Sequence, residues 1–340
     1  MTESITHLAH EVALKCNQLG IKINAGDYSF LDTQDKFYTP LIVGLGGSWA
    51  YGTNIETSDV DIRGVALRKP FDILTGRDFE QVTNEATDTT IYSLDKMIKL
   101  LVNCNPNTVE ILGLKPEHYL YLHPLGEELI KNADMFLSMR CVKSFMGYAN
   151  QQLYRLQQKS LVALSEEELN KHIVKTLNNM RDMLETNHDM SGIAVRLENG
   201  QIVLDIDVKS YPAESLSAVL GVLNKTLQDY HKNSVRNEKA MAHGKIAKHS
   251  MHLMRLYMMV EDILLNHTIK TYRDKEHDLL MDIRNGKYLG EDGRPTKEFF
   301  DMVEYQEVAV QFAKEKSDLP AEPDMKRIDK FLVHANRAYL

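Results

Sequence analysis

The sequence has few of the features that mark a disulfide-linked, repetitive or membrane-spanning protein. Its three cysteines, Cys16, Cys104 and Cys141, are odd in number and far apart, so they form neither a disulfide framework nor a zinc-binding spacing. Eighteen glycines and nine prolines in 340 residues, without a fixed period, exclude a collagen-like or repeat protein. No apolar run approaches the roughly 18 residues that span a bilayer, and the polar first residues do not resemble a signal peptide. With 43% apolar residues to build a core, we expect a reduced, soluble, cytoplasmic protein with no membrane partner.

The charge is acidic overall but unevenly distributed. Forty Lys and Arg against 48 Asp and Glu give a net charge of −8, which argues against a protein that coats nucleic acid with its whole surface. Two stretches are basic nevertheless, residues 135–165 at +4 and residues 230–260 at +5. They either form one face for a polyphosphate or a nucleic acid or lie apart in solvent, and charge alone favours neither interpretation.

Apolar periodicity divides the chain into an α/β part and a mostly helical part, so we expect an α+β fold with domains at 1–125 and 126–340. In the first part the pattern predicts a helix at 4–19, strands at 40–45, 59–67, 79–83 and 87–92, and helices capped by Ser93 and by Asn105. In the second part it predicts helices at 126–161, 165–188, 212–231, 237–266, 274–284 and 296–315. Asn199-Gly200 indicates a hairpin over 193–208, with Asp205 and Asp207 on its exposed face.

The stretch from Gly46 to Gly64 carries the strongest chemical signal. A strand ends in Gly46-Gly47, which lets the backbone bend sharply, and Ser48 follows with a hydroxyl and backbone amides for an anion. Asp59 and Asp61, two apart on the predicted next strand, point to the same side. Paired carboxylates of this kind suit Mg²⁺. A Gly-Gly pair alone is usually a turn and an Asp-x-Asp alone an exposed strand edge, but their order and spacing here indicate phosphoryl or nucleotidyl transfer.

These residues resemble the signature of the DNA polymerase β-like nucleotidyltransferase superfamily. The superfamily motif is matched by Gly47-Ser48 followed by Ser58-Asp59-Val60-Asp61. The surrounding sequence is similar to that of the RNA-repair-pathway polymerase β family of predicted nucleotidyltransferases. Further similar blocks are Asn105-Pro106-Asn107-Thr108-Val109-Glu110, Gly147-Tyr148-Ala149, Lys248-His249, His252-Leu253-Met254-Arg255-Leu256, Ile283-Arg284-Asn285-Gly286 and Leu319-Pro320. The resemblance therefore extends over roughly residues 40–320.

The resemblance implies a minimal palm-like domain with a small mixed sheet. In it Gly47 and Ser48 contact the terminal phosphates of a nucleotide, and Asp59 and Asp61 hold two Mg²⁺ ions, with Mn²⁺ as an alternative. A third carboxylate on a neighbouring strand completes such a site, and the candidates are Asp78, Glu80, Glu85 and Asp88. We select Asp88, with Glu80 second, because alternation in the predicted strand 87–92 places Asp88, Thr90 and Tyr92 on one face.

Basic residues elsewhere are candidates for phosphate binding. Arg63, two residues after Asp61 on the same face, is either a phosphate ligand or a solvated arginine. On a helical wheel Lys248, His252 and Arg255 fall with Met259 in a stripe about 60° wide between two apolar flanks. Such a stripe either reaches a triphosphate or acceptor strand, the interpretation we favour, or forms a salt-bridge seam between domains. Glu110, by contrast, is interpreted as a structural helix-side carboxylate.

The expected activity is that of a metal-dependent nucleotidyltransferase. It moves a nucleoside monophosphate from an NTP to a hydroxyl, releasing pyrophosphate, and the favoured acceptor is an RNA end. The alternatives are a protein or small-molecule adenylyltransferase and a catalytically silent regulator that binds RNA or nucleotide, because a fold of this kind does not determine its acceptor.

Overall fold

The computed structural model describes residues 7–32, 39–77, 79–160, 193–199, 201–207, 245–291, 293–338 and 340, with isolated positions at 174, 216, 217, 220, 221 and 224. The chain divides into two compact units. One comprises Met1–Gln151, Met251–Lys287 and Lys297–Leu340, and the other Gln152–Ser250 and Tyr288–Thr296. The domains that the apolar periodicity predicts, a catalytic one at 1–125 and a helical substrate-binding one at 126–340, stay predictions.

The first unit contains a five-stranded mixed sheet. Its strands are β1 (Thr39–Leu45), β2 (Ile62–Leu67), β3 (Gln81–Asn84), β4 (Thr89–Ser93) and β5 (Tyr119–Leu122). They lie in the order β3-β4-β2-β1-β5. β1 runs antiparallel to both β2 and β5, β2 runs parallel to β4, and β3 and β4 form an antiparallel pair. The sheet therefore places the end of β1 beside the start of β2, where the sequence motif lies.

The two faces of this sheet differ in character. One face packs on helix α1 (Leu8–Gln18) and the 3-10 segment Ala25–Asp32. The buried residues of that core include Leu8, Val12, Tyr28, Leu31, Val43, Leu45, Ile62, Ala66 and Ile91. On the opposite face the register aligns Gly44, Arg63 and Thr90 across three strands. Since laterally paired residues point to the same side, Arg63 leaves the apolar core and faces the other side of the sheet.

The remaining helices follow in chain order as α2 (Gly47–Tyr51), α3 (Pro70–Thr75), α4 (Leu94–Val102), α5 (Pro106–Val109), α6 (Pro124–Lys131), α7 (Arg140–Ser160), α8 (Lys245–Asn266), α9 (His277–Arg284), α10 (Lys297–Lys316) and α11 (Met325–Arg337). Both predicted caps are confirmed. The Ser93 hydroxyl accepts from the Lys96 amide at 3.1 Å, and the Asn105 side chain accepts from the Asn107 amide at 3.0 Å. Within the described ranges, no helix is both long and apolar enough to cross a membrane.

Several predicted boundaries differ from the structure. The helix predicted at 126–161 is interrupted between α6 and α7, since the backbone there pairs with the C-terminal part of the chain. The Met139 amide donates to the Pro320 carbonyl and the Asp324 amide to the Met135 carbonyl, both at 2.9 Å. Strand β5 and helix α11 were not predicted. The helices predicted at 165–188 and 212–231 fall outside the described residues, apart from isolated positions.

The hairpin predicted in the second unit is confirmed. It consists of β6 (Ile193–Glu198) and β7 (Gln201–Ile206), and Asn199 in its turn has a φ of +49°. Asp205 is exposed and binds the Arg196 guanidinium at 2.6 Å, and Asp207 is also exposed. These two aspartates therefore belong to a solvated sheet face, as the alternation indicated.

Candidate functional site

The turn after β1 is held tightly against Asp61. The Gly46 amide donates to the Asp61 carbonyl at 2.8 Å, and α2 begins at Gly47 with a φ of +53°. A Cβ atom at Gly47 would lie 1.9 Å from the Asp61 Oδ2 atom. Both the backbone angle and this close approach require glycine. The turn that carries Ser48 therefore lies directly beside one carboxylate of the Asp-x-Asp pair.

Asp59 and Asp61 occupy an extended segment just before β2. The strand begins at Ile62, so the prediction that both aspartates lie within it is wrong by a few residues. Asp59 is exposed, whereas the Asp61 side chain is 20% exposed. The strand forms only where Leu45 of β1 is available to pair with Ile62. Before Ile62, the chain pairs with the turn instead of with β1, because the Asp61 carbonyl accepts from the Gly46 amide.

Arg63 joins two of the predicted site carboxylates. Its Nη2 atom lies 3.1 Å from Asp61 Oδ1 and 3.3 Å from Asp88 Oδ1. Its Nη1 atom also donates to the Asp88 carbonyl at 2.7 Å. One guanidinium therefore reduces the repulsion between carboxylates that approach from the segments preceding β2 and β4. The structure places Arg63 next to acidic partners, and its predicted role as a phosphate ligand stays a prediction.

Asp88 reaches the site from a turn. It precedes β4, has a φ of +42° and terminates the connection from β3, so it does not alternate with Thr90 and Tyr92 along a strand as predicted. Its carbonyl accepts from the Ile62 amide as well as from Arg63, and these two bonds fix the turn beside β2.

Of the other candidates for the third carboxylate, Glu80 is exposed and binds the Lys96 ammonium at 2.8 Å. The hydrogen bond from Lys96 lowers the pKa of Glu80. Asp78 lies outside the described residues.

A cavity of about 890 Å³ opens beside Asp59 and Asp88. Its lining residues are Lys22, Ile23, Asn24, Asp27, Tyr28, Asp59, Val60, Glu85, Ala86, Thr87 and Asp88. The contribution of residues 22–28 was not predicted, because that segment carries no motif and reaches the site only through the packing of α1 and the 3-10 segment on the sheet. Nothing in its local sequence signals this position.

A cluster of side chains packs at the end of α2 and consists of Tyr51, Glu110, His252 and Arg255. The Tyr51 hydroxyl, at the end of α2, donates to Glu110 Oε2 at 2.7 Å. The Arg255 guanidinium lies 3.4 Å from the centre of the Tyr51 ring and its Nη2 atom lies 2.9 Å from His252 Nδ1. Burial raises the pKa of Glu110, and the positive charge of Arg255 opposes that rise. Burial likewise raises the pKa of Tyr51 well above its ordinary value. Of the stripe predicted on α8, Arg255 thus lies against Tyr51 of α2 and His252 contacts Arg255.

Lys248, the third basic member of that stripe, is exposed and belongs to the second unit. Its predicted contact with a nucleotide stays a prediction. His249, which the wheel places on an apolar flank, is half-buried and its Nδ1 atom lies 3.1 Å from Gln152 Oε1.

The carboxylates at this site are of the kind that could hold a divalent ion together with a phosphate ligand, and the metal stays a prediction. In the part of the chain that the structure describes, no three His, Cys, Asp or Glu side chains are arranged to enclose a metal. Mg²⁺ is commonly held by one or two carboxylates together with substrate phosphates, without a complete protein cage. Asp59 and Asp61 offer hard oxygen ligands, and Asp61 lies against the turn where a phosphate would bind.

The site combines a mixed sheet, a Gly-Gly-Ser turn after its first strand and an Asp-x-Asp segment leading into the second. Residues 40–190 match the model of RlaP, the RNA repair pathway DNA polymerase beta family. This match confirms the family that the sequence motifs indicated, over the segment that includes Gly47, Ser48, Asp59, Asp61 and Asp88. No curated protein and no solved structure matches the chain.

Proposed function

We propose that this protein transfers a nucleoside monophosphate from an NTP to a hydroxyl group at an RNA end and releases pyrophosphate. The observation that carries the proposal is the contact between Gly47 and Asp61, since a Cβ at Gly47 would fall 1.9 Å from the Asp61 carboxylate. This contact brings the turn that carries Ser48, whose amides can bind an anion, next to a carboxylate that can bind a cation.

We assign different roles in such a reaction to different residues of the first unit. The Ser48 hydroxyl and the amides around it would donate to the terminal phosphates of the NTP. Asp59 and Asp61, with Asp88 as the third carboxylate, would hold Mg²⁺ or Mn²⁺. When bound, the metal neutralises phosphate charge and lowers the pKa of an attacking hydroxyl. Arg63 already spans Asp61 and Asp88, so it keeps these carboxylates close together and supplies a positive charge beside the phosphates.

The cluster at the end of α2 supports a positioning role for α8. Tyr51 is anchored to Glu110 by its hydroxyl, and its ring lies under Arg255. Arg255 and His252 are half-buried beside the helix that carries Ser48. We assign both to the nucleotide-binding side of the site, and contact of Lys248 with a phosphate stays a prediction.

An RNA end is the favoured acceptor for two reasons. The description of the matching family names an RNA repair pathway. The otherwise acidic chain also has two basic stretches, at residues 135–165 and 230–260. Binding of RNA through Lys and Arg releases counterions, so the affinity should fall steeply as salt rises. A small-molecule or protein acceptor predicts little dependence on salt.

Transfer of label from NTP tests this proposal. The wild-type chain, the Asp59→Ala variant and an exposed control variant, Glu56→Gln, are incubated with each α-labelled NTP, Mg²⁺ and oligoribonucleotides. The proposal expects label on RNA with the wild type and the control, and none with Asp59→Ala. Label on protein or on a small acceptor would instead support an adenylyltransferase of another kind. No transfer to any acceptor would support a silent nucleotide-binding or RNA-binding regulator.

A further inference from the structure

The cavity beside Asp59 and the turn at Gly47 meet different carboxylates. Asp61 is the member of the pair that presses against Gly47, whereas Asp59 and Asp88 line the cavity and Asp61 does not. Arg63 links Asp61, which lies at the turn, to Asp88, which lines the cavity. A ligand in the cavity would therefore lie next to Asp59 and Asp88 without occupying the turn.

The lining of this cavity is polar and mixed. Lys22, Asn24, Asp27 and Glu85 are exposed, so their side chains are accessible to a ligand from solvent. Tyr28 is buried, and burial raises its pKa to about 12, so its phenol stays protonated near neutral pH. A cavity of about 890 Å³ is in the range that accommodates a nucleoside or a somewhat larger molecule.

We propose that this cavity binds the ribose cis-diol of the hydroxyl-bearing substrate, with Asp27 and Glu85 accepting hydrogen bonds from the diol. The proposal rests on the nucleotidyl transfer proposed above, because that reaction requires a hydroxyl near Asp59. Carboxylates are effective acceptors for ribose hydroxyls, as in dinucleotide-binding folds. Lys22, the one cation among the described residues of the lining, would contact a phosphate joined to that ribose.

The charges of the lining favour a neutral hydroxylated group over a phosphate or an amine. With Asp59 and Asp88 assigned to the metal site, the lining retains Lys22 against Asp27 and Glu85. With one positive and two negative side chains, this part of the lining would repel a group of several phosphates and would attract an isolated ammonium only weakly. A ribose offers two adjacent donors to these carboxylates and carries no charge itself.

Equilibrium binding tests the assignment without requiring catalysis. A 5′-fluorescein oligoribonucleotide with a terminal cis-diol is titrated with the full chain in Mg²⁺, beside the same oligomer with a 2′,3′-dideoxy end. The wild type should bind the cis-diol end about tenfold more tightly, since a hydrogen bond to a charged group contributes about 1.5 kcal/mol or more. Equal affinity for the two ends would overturn the proposal. This comparison uses only the wild-type chain, so it does not depend on how any variant folds.

A double variant then locates the binding site. Asp27→Asn with Glu85→Gln should remove the preference for the cis-diol end, whereas Glu56→Gln, an exposed carboxylate outside the lining, should retain it. Retention of the preference in a folded double variant would overturn the placement. Free adenosine as competitor shows whether the terminal ribose alone is bound or a polynucleotide is needed, since only the first displaces the oligomer.

The same titrations separate this inference from the proposed function. If cis-diol binding is selective but no label is transferred to any hydroxyl, the proposed reaction fails while the cavity assignment stands. If label is transferred to RNA but the double variant leaves the KM for RNA unchanged, the reaction stands and the cavity assignment fails.

Discussion

Replacement of Gly47 by alanine tests the geometry of the turn most informatively. The new Cβ would lie 1.9 Å from Asp61 Oδ2 and 2.7 Å from Asp61 Cγ, so the carboxylate must rotate away. The backbone φ of +53° adds a separate cost of about 1–2 kcal/mol for any residue with a Cβ. Displacement of Asp61 also breaks its ion pair with Arg63, which contributes at most about 1 kcal/mol at this partly exposed position.

Gly76→Ala supplies the matched control. Gly76 has a φ of +67°, and a Cβ there meets no atom within 4 Å. This variant therefore carries the backbone cost without a displaced carboxylate. The free energy of unfolding should fall by about 1–2 kcal/mol in Gly76→Ala and by about 1–3 kcal/mol in Gly47→Ala. Urea denaturation of both variants measures this difference.

Nucleotide binding should separate the two variants much more clearly than stability does. Trp49 is the single tryptophan of the chain and follows Ser48 in α2, so its fluorescence reports on the turn. In Mg²⁺, Gly47→Ala should bind NTP about tenfold more weakly or worse, because a charge-assisted contact contributes about 1.5–3 kcal/mol. Gly76→Ala should bind as the wild type does. Equal affinities for the two variants would refute the role assigned to the contact between Gly47 and Asp61.

Other predictions concern the supporting structure. Because burial raises the pKa of Glu110 above its unfolded value, the contribution of this group to stability is fully present below that unfolded value and is lost as pH rises through the raised folded pKa. Glu110→Gln should lack this slope in urea denaturation over about pH 4–8, and an unchanged slope would contradict the assignment. Ser93→Ala removes the N-cap of α4 and should cost about 1 kcal/mol of stability without changing NTP affinity, and a matching loss of affinity would count against a purely structural cap. The RNA affinity of the wild type should fall linearly on logarithmic axes as salt increases, and a flat response would indicate another acceptor.

The features that the sequence predicted correctly are those set by neighbouring residues. Ser93 and Asn105 cap their helices through side chains that accept from amides two or three residues away. Asn199 forms its hairpin turn for the same local reason. The chain bends at Gly47 where the motif indicated, because tolerance of a positive φ is a property of glycine itself.

The features that the sequence did not predict depend on distant parts of the chain. Asp88 falls in a turn because pairing of β4 with both β2 and β3 begins at Thr89, and a single strand's alternation contains no such information. Glu110 contacts Tyr51, 59 positions before it, and Arg255 reaches the same ring from α8. The segment that begins at Lys22 lines the cavity only after α1 has packed on the sheet. Propensity and periodicity describe none of these contacts.

Binding of Mn²⁺, followed by electron paramagnetic resonance with and without a non-hydrolysable NTP, tests the central claim most directly. The wild type should bind the ion weakly alone and more tightly when the nucleotide supplies phosphate oxygens. Asp59→Ala and Asp61→Asn should each lose the nucleotide-dependent binding, while Glu56→Gln retains it. If either aspartate variant bound Mn²⁺ with nucleotide as tightly as the wild type, these carboxylates would not form the metal site.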